Sequence, residues 1–156
     1  ALFRVRVDVS GMTYFVPFDG GELSRMALRR ATALEEATGE PVLTFAVIPK
    51  NNEAYARERW LDEGESYDRD LILERLRESV AAIAPGADFD HEVVGKHARS
   101  GRIATAIRER AEAEDASVVF LGSENAGHIV CSVADVGPTV AADDTYDVYI
   151  ARSTEE

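Results

Sequence analysis

The chain has 156 residues, 46% of them hydrophobic and 29% charged, a balance that fits one packed domain and is globular rather than disordered in composition. With 29 Asp and Glu against 17 Lys and Arg its formal net charge is −12, which repels phosphate-rich partners over most of the surface and argues against nucleic-acid binding. A single Cys excludes an internal disulfide and a multi-cysteine zinc site, and no apolar run approaches the ~20 residues needed to span a membrane. Of the basic residues only Lys50 and Lys96 are lysines. Abundant carboxylates hold water and cations, and strong screening removes their mutual repulsion, so the composition points to a halophilic protein working in concentrated salt. No signal-peptide pattern opens the chain, and the expected location is cytoplasmic.

Residues 1–10 alternate Phe3, Val5, Val7 and Val9 with Arg4, Arg6 and Asp8, the period of a half-exposed strand, before Gly11 and Met12 interrupt it. Residues 1–11 are therefore either an extra N-terminal strand or an added leader, and residues 12–156 form the domain proper. Residues 14–18 make a short apolar strand that ends in the turn Asp19-Gly20-Gly21. Residues 22–38 carry Leu23, Met26, Ala27, Ala31 and Leu34 at helical spacing, and Gly39 supplies the stop. Residues 41–48 are apolar on both faces, as a central parallel strand between helix layers must be.

Residues 49–66 read as polar and irregular, with one helical turn near Tyr55 to Trp60. A long amphipathic helix over 67–84 turns Leu71, Leu73, Leu76 and Val80 inward and stops at Pro85-Gly86. A third strand holds Phe89, His91, Val93 and Val94, and a helix over 100–115 follows with Ser100 as its expected N-cap. Residues 118–121 form a buried fourth strand, 136–142 a weaker helix and 146–151 a last strand. This alternation predicts an α/β three-layer sandwich around a mainly parallel five-stranded sheet.

In such a sheet ligands bind beyond the carboxyl ends of the strands, which directs attention to the loops at 17–21, 48–52 and 122–135. Neither G-x-x-x-x-G-K-[ST] nor G-x-G-x-x-G is present, so a P-loop and a dinucleotide fingerprint are excluded. The H-x-G-H pairing of nucleotidyl transferases is also missing. Asp19 stands alone after the first strand with no Lys after the last, so phosphotransfer to an Asp is not expected. His128 and Cys131 are three apart but lack a third member, and a small buried Cys beside a loop His accounts for them. Asp88, Asp90, His91 and Glu92 make the outer face of their strand acidic, and His91 and His97 have no metal spacing. Asp143, Asp144 and Asp147 read as a solvated acidic turn. Arg99 and Arg102, at the start of a helix, are either anion contacts or surface residues.

The segment Tyr14-Phe15-Val16-Pro17-Phe18-Asp19-Gly20 leading into an Ala/Leu helix resembles the opening of universal stress proteins. The strands at 42–49 and 118–123 and the closing Asp147-Val148-Tyr149-Ile150-Ala151-Arg152 are similar to later strands of that family, so the resemblance runs from 12 to 152. It implies an adenine-nucleotide hydrolase-like sheet and a homodimer joined through the final strand, bounded here by Tyr146 and Arg152. Family members that bind ATP carry G-x-x-G, nine residues, then G-[ST] after the fourth strand, because the backbone must approach the phosphates closely. Gly122 and Ser123 match its start, but Asn125 stands at the second glycine. Nine residues further lie Asp135 and Val136, and alignment from the last strand gives Ala134 and Asp135. Either way a carboxylate occupies the phosphate end, where each like-charge pair at about 4 Å costs about 1 kcal/mol in water and several times more at lower dielectric.

Asp19 matches the family Asp that contacts adenosine, and Val47 lies near the strand end that meets adenine. Asp19 also fits a plain turn carboxylate bonding Gly20-Gly21 and the helix start. The expectation is thus a non-catalytic, homodimeric stress-response protein with no required cofactor and its phosphate loop lost. The alternative is an ATP- or AMP-binding protein that uses Ser123, Asn125 and helix-terminal amides in a modified loop.

Overall fold

A computed structural model describes residues 13–122 and 146–152. Strand β1 (Thr13–Pro17) leads to helix α1 (Glu22–Thr38), strand β2 (Val42–Pro49), helices α2 (Glu53–Arg59) and α3 (Arg69–Ile83), strand β3 (Asp88–Val94), helix α4 (Ser100–Ala113), strand β4 (Ala116–Gly122) and strand β5 (Asp147–Ala151). The strands pair in the order β3-β2-β1-β4-β5, and every pairing is parallel.

That order settles where the helices go. Right-handed crossovers moving outward from β1 to β2 and β3 place α1 and α3 on one face. The crossover from β3 back past β1 to β4 runs the other way and places α4 on the opposite face. The core is divided accordingly. Tyr14, Val16, Ala46, Ile48 and Phe120 pack with Leu28, Ile72 and Leu76, whereas Phe15, Phe45, Val47, Val119 and Leu121 pack with Ala104, Ala106 and Ala111. Alternate residues of one strand thus feed two cores, and β2 is apolar on both faces because helices cover both. Its one buried hydroxyl, on Thr44, donates to the carbonyl of Asp88 at 2.7 Å.

Helix ends follow local chemistry. Gly39 stops α1 in the left-handed region (φ 80°) and returns its N–H to Glu35 O at 2.7 Å. Asn52 and Asp68 cap α2 and α3 by accepting the N–H groups of Tyr55 and Leu71. Asp68 as cap shortens the helix expected from Tyr67, and Ile72 is buried where Leu71 is only partly so. The N-cap of α4 is Arg99, with no side-chain bond, and Ser100 is the first helical residue instead of the cap. The acidic face of β3, though partly exposed, finds cationic partners. Asp90 pairs with Arg110 and Glu92 approaches Arg102 at 3.6 Å, both from α4. The N-terminal strand expected over 1–10 and the helix expected over 136–142 lie outside the described residues.

Candidate functional site

Strand order reverses between β1 and β4, whose carboxyl ends are Pro17 and Gly122. Such a point opens a crevice because the flanking connections leave toward opposite faces. Beyond Pro17 the backbone must turn sharply into α1. Gly20 adopts φ +80°, a region disfavoured for side-chain-bearing residues, and Asp19 holds the turn. Its Oδ1 accepts the Gly21 N–H at 2.8 Å and the Ser24 hydroxyl at 2.9 Å. The turn role expected for Asp19 is therefore real, and it occupies one of the two carboxylate oxygens.

The same turn is gripped from the far side. The Trp60 indole N–H donates to the Asp19 carbonyl at 2.8 Å. Trp60 is fixed in turn by Arg75, which donates to the Trp60 carbonyl at 2.8 Å and in bidentate fashion to Glu65 at 2.6 and 2.7 Å. The Arg75 hydrogen bond, helped by the Asp62 N–H, holds the Glu65 carboxyl down at about 2. This clamp carries α2 to the mouth of the crevice, with the Tyr55 ring 5.6 Å from Trp60.

A cavity of about 250 Å³ results, with openings to solvent. Buried Phe45, Val47 and Ala104 and half-buried Ile103 and Ile107 supply its apolar lining. Asp19, Tyr55, Arg59 and Ser100 bring the polar groups. The Arg59 guanidinium lies 3.6 Å over the Tyr55 ring. Burial is the main cause that raises the Tyr55 hydroxyl above its ordinary value; Arg59 opposes the rise, while Asp19 and Glu58 add to it. At neutral pH Tyr55 is thus an uncharged donor beside a guanidinium.

Asp19 and Val47, predicted from the resemblance, do meet in this cavity. Gly122 has a different place. A Cβ there would lie 2.6 Å from Leu23 Cβ, so glycine lets the first turn of α1 pack onto the end of β4. Ser123, Asn125, Ala134, Asp135 and Val136 lie outside the described residues, as do His128, Cys131, Asp143 and Asp144. Asp147 is exposed at the start of β5. Tyr55 and Arg59 were not predicted as site residues; their spacing of four on a helix, directly after the loop at 48–52, is the signal that places them together. Among the described residues no group of three His, Cys, Asp or Glu is arranged to hold a metal, and no helix is long and apolar enough to cross a membrane.

A parallel α/β sandwich with an apolar cavity at its switch point defines the class of protein. The chain belongs to the universal stress protein family, whose sequence profile matches residues 13–136. Solved structures with the same fold include the universal stress protein from Archaeoglobus fulgidus in complex with dAMP, 15% identical, with 90% of this chain and 95% of that one covered and a TM-score of 0.53. A universal stress protein in complex with cAMP is 23% identical, with coverage of 92% and 98% and a TM-score of 0.51. A hypothetical protein solved as a test case for structure-based assignment of biochemical function is 15% identical, with coverage of 95% and 100% and a TM-score of 0.58. No curated protein sequence matches the chain.

Proposed function

We propose that this universal stress protein is non-catalytic, and that its cavity takes the adenosine end of a small nucleotide while the polyphosphate grip of the ATP-binding members is lost. The observation that carries the reading is the meeting of Asp19 and Val47 in one apolar cavity at the switch point. A free carboxylate oxygen on Asp19 suits a ribose hydroxyl or an exocyclic amine, and the apolar lining suits a flat heterocycle. The volume, about 250 Å³, falls just below the ~300–1,000 Å³ typical of small-molecule sites, which favours a compact ligand. Relatives of this fold solved with dAMP and cAMP support a nucleoside monophosphate. Asn125 and Asp135, at the positions of glycine and phosphate contact in ATP-binding members, argue against a triphosphate.

The protein acts in this reading as a homodimer through β5, whose exposed Val148, Tyr149 and Ile150 offer an apolar edge. Such a contact should bury roughly 1,200–2,000 Å² in total. Calorimetric titration in molar salt with adenosine, AMP and ATP tests the ligand. ATP is expected to bind more weakly than about 1 mM, a free energy of about −4 kcal/mol, and AMP at least as well as ATP. Micromolar ATP affinity would replace this reading with that of an ATP-binding protein using a modified loop.

A further inference from the structure

Among the described residues lining the cavity there is one cation, Arg59, and one carboxylate, Asp19. A cation in the last turn of a short helix has an ordinary explanation in the helix dipole, and Arg57 serves that purpose while paired with Glu53 one turn back. Arg59 is held differently. Its guanidinium carbon lies 3.6 Å from the Tyr55 ring centroid and its Nη1 donates to the Tyr55 carbonyl at 3.3 Å. A stacked guanidinium uses its π face on the ring and leaves its edge N–H groups for an in-plane acceptor, the fork that matches phosphate. Its ion-pair partner is the adjacent Glu58, 3.3 Å away with a side chain 75% exposed, a solvated contact that a bound phosphate can displace. The larger arginine networks elsewhere are committed: Arg75 to Glu65, and Arg110 to Asp90 and Glu114.

We infer that Arg59 is the anion-recognising residue of this cavity, positioned by the Tyr55 ring, and that the ligand class is a nucleoside bearing a single phosphate. One guanidinium offsets at least half of the charge of about −1.5 to −2 on a terminal phosphate and a much smaller share of a triphosphate's, on a chain whose net charge of −12 offers little further compensation. This inference rests on the nucleoside reading given above and adds the part of the ligand which that reading leaves without a partner.

Calorimetric titration of the full chain with adenosine and with AMP tests it, using wild type, Arg59→Gln, Arg59→Lys, Tyr55→Phe and Tyr55→Leu, with each variant's fold checked by thermal melt. Wild type should bind AMP about tenfold more tightly than adenosine, a difference of about 1.4 kcal/mol. Arg59→Gln should bring that ratio to about one, while Arg59→Lys should keep part of it. Tyr55→Phe retains the ring and should retain the ratio; Tyr55→Leu frees the guanidinium and should lose it. A ratio that stays at tenfold in Arg59→Gln, or is already near one in wild type, overturns the role of Arg59 and leaves the nucleoside reading standing. Absence of both adenosine and AMP binding in wild type overturns both.

Discussion

The two edges of the sheet solve the same problem in opposite ways. Strand β3 at one edge carries Asp88, Asp90, His91 and Glu92, and α4 answers two of its carboxylates with Arg110 and Arg102. Strand β5 at the other edge exposes Val148, Tyr149 and Ile150. Charge on an edge strand discourages another chain from adding to it, because pairing would strip water from ions that are already satisfied. An apolar edge gains by being covered. One sheet thus has a charged end and an apolar end, and the dimer proposed above would use the apolar one.

The largest expected effect comes from charging the apolar edge. Ile150→Lys should raise the dimer dissociation constant at least 100-fold, about 2.7 kcal/mol, and leave a monomer at micromolar concentration in sedimentation equilibrium. Wild type sedimenting as a monomer under the same conditions would end the contrast between the edges. The second test acts through the strand that supports β5. Gly122→Ala forces a Cβ to 2.6 Å from Leu23 and should cost about 2–3 kcal/mol by urea denaturation, within the usual range for overpacking. A change below about 0.5 kcal/mol would show that α1 shifts freely and does not brace β4.

The smallest effect belongs to the charged edge. A double-mutant cycle on Asp90 and Arg110 should give a coupling of about 0.5–1 kcal/mol, as solvated pairs do, with no change in oligomeric state. Its pH dependence has a defined sign. The Arg110 hydrogen bond is the main cause that lowers the Asp90 carboxyl below its ordinary 3.8, so the pair stabilises the fold above about pH 4. That contribution disappears as the pH falls through the lowered value. Asp90→Asn should therefore flatten the acid limb of thermal stability, and an unchanged limb would remove the pair from the account.

Local signals carried most of the architecture. The doubly apolar run of β2, the spacing of Met26, Ala27, Ala31 and Leu34 and the stop at Gly39 each act over a few residues, and all are present in the fold. The stretch at 49–66 read as irregular because α2 has only seven residues and depends on distant partners: its Asn52 cap donates to the carbonyl of Lys96, and Trp60 reaches Asp19. Nothing local announces such bonds. The acidic face of β3 was legible, but its partners were not, since Arg102 and Arg110 belong to the separate helix α4. At the site, Asp19 and Val47 were legible from the family pattern, whereas Tyr55 and Arg59 belong to the segment whose structure is tertiary in origin. Gly122 was legible from the family pattern, and the fold adds a packing reason that no local signal gives, the close approach of Leu23.

The link from the Trp60 indole N–H to the Asp19 carbonyl has a practical consequence. Trp60 is the chain's only tryptophan, and it sits within energy-transfer distance of Tyr55, 5.6 Å away on the cavity wall. All of the protein's indole emission therefore originates one hydrogen bond from the turn that carries the site carboxylate. The molecule contains its own optical probe of the crevice, and unlabelled protein excited at the red edge of its absorption reports on the surroundings of Trp60, that turn among them.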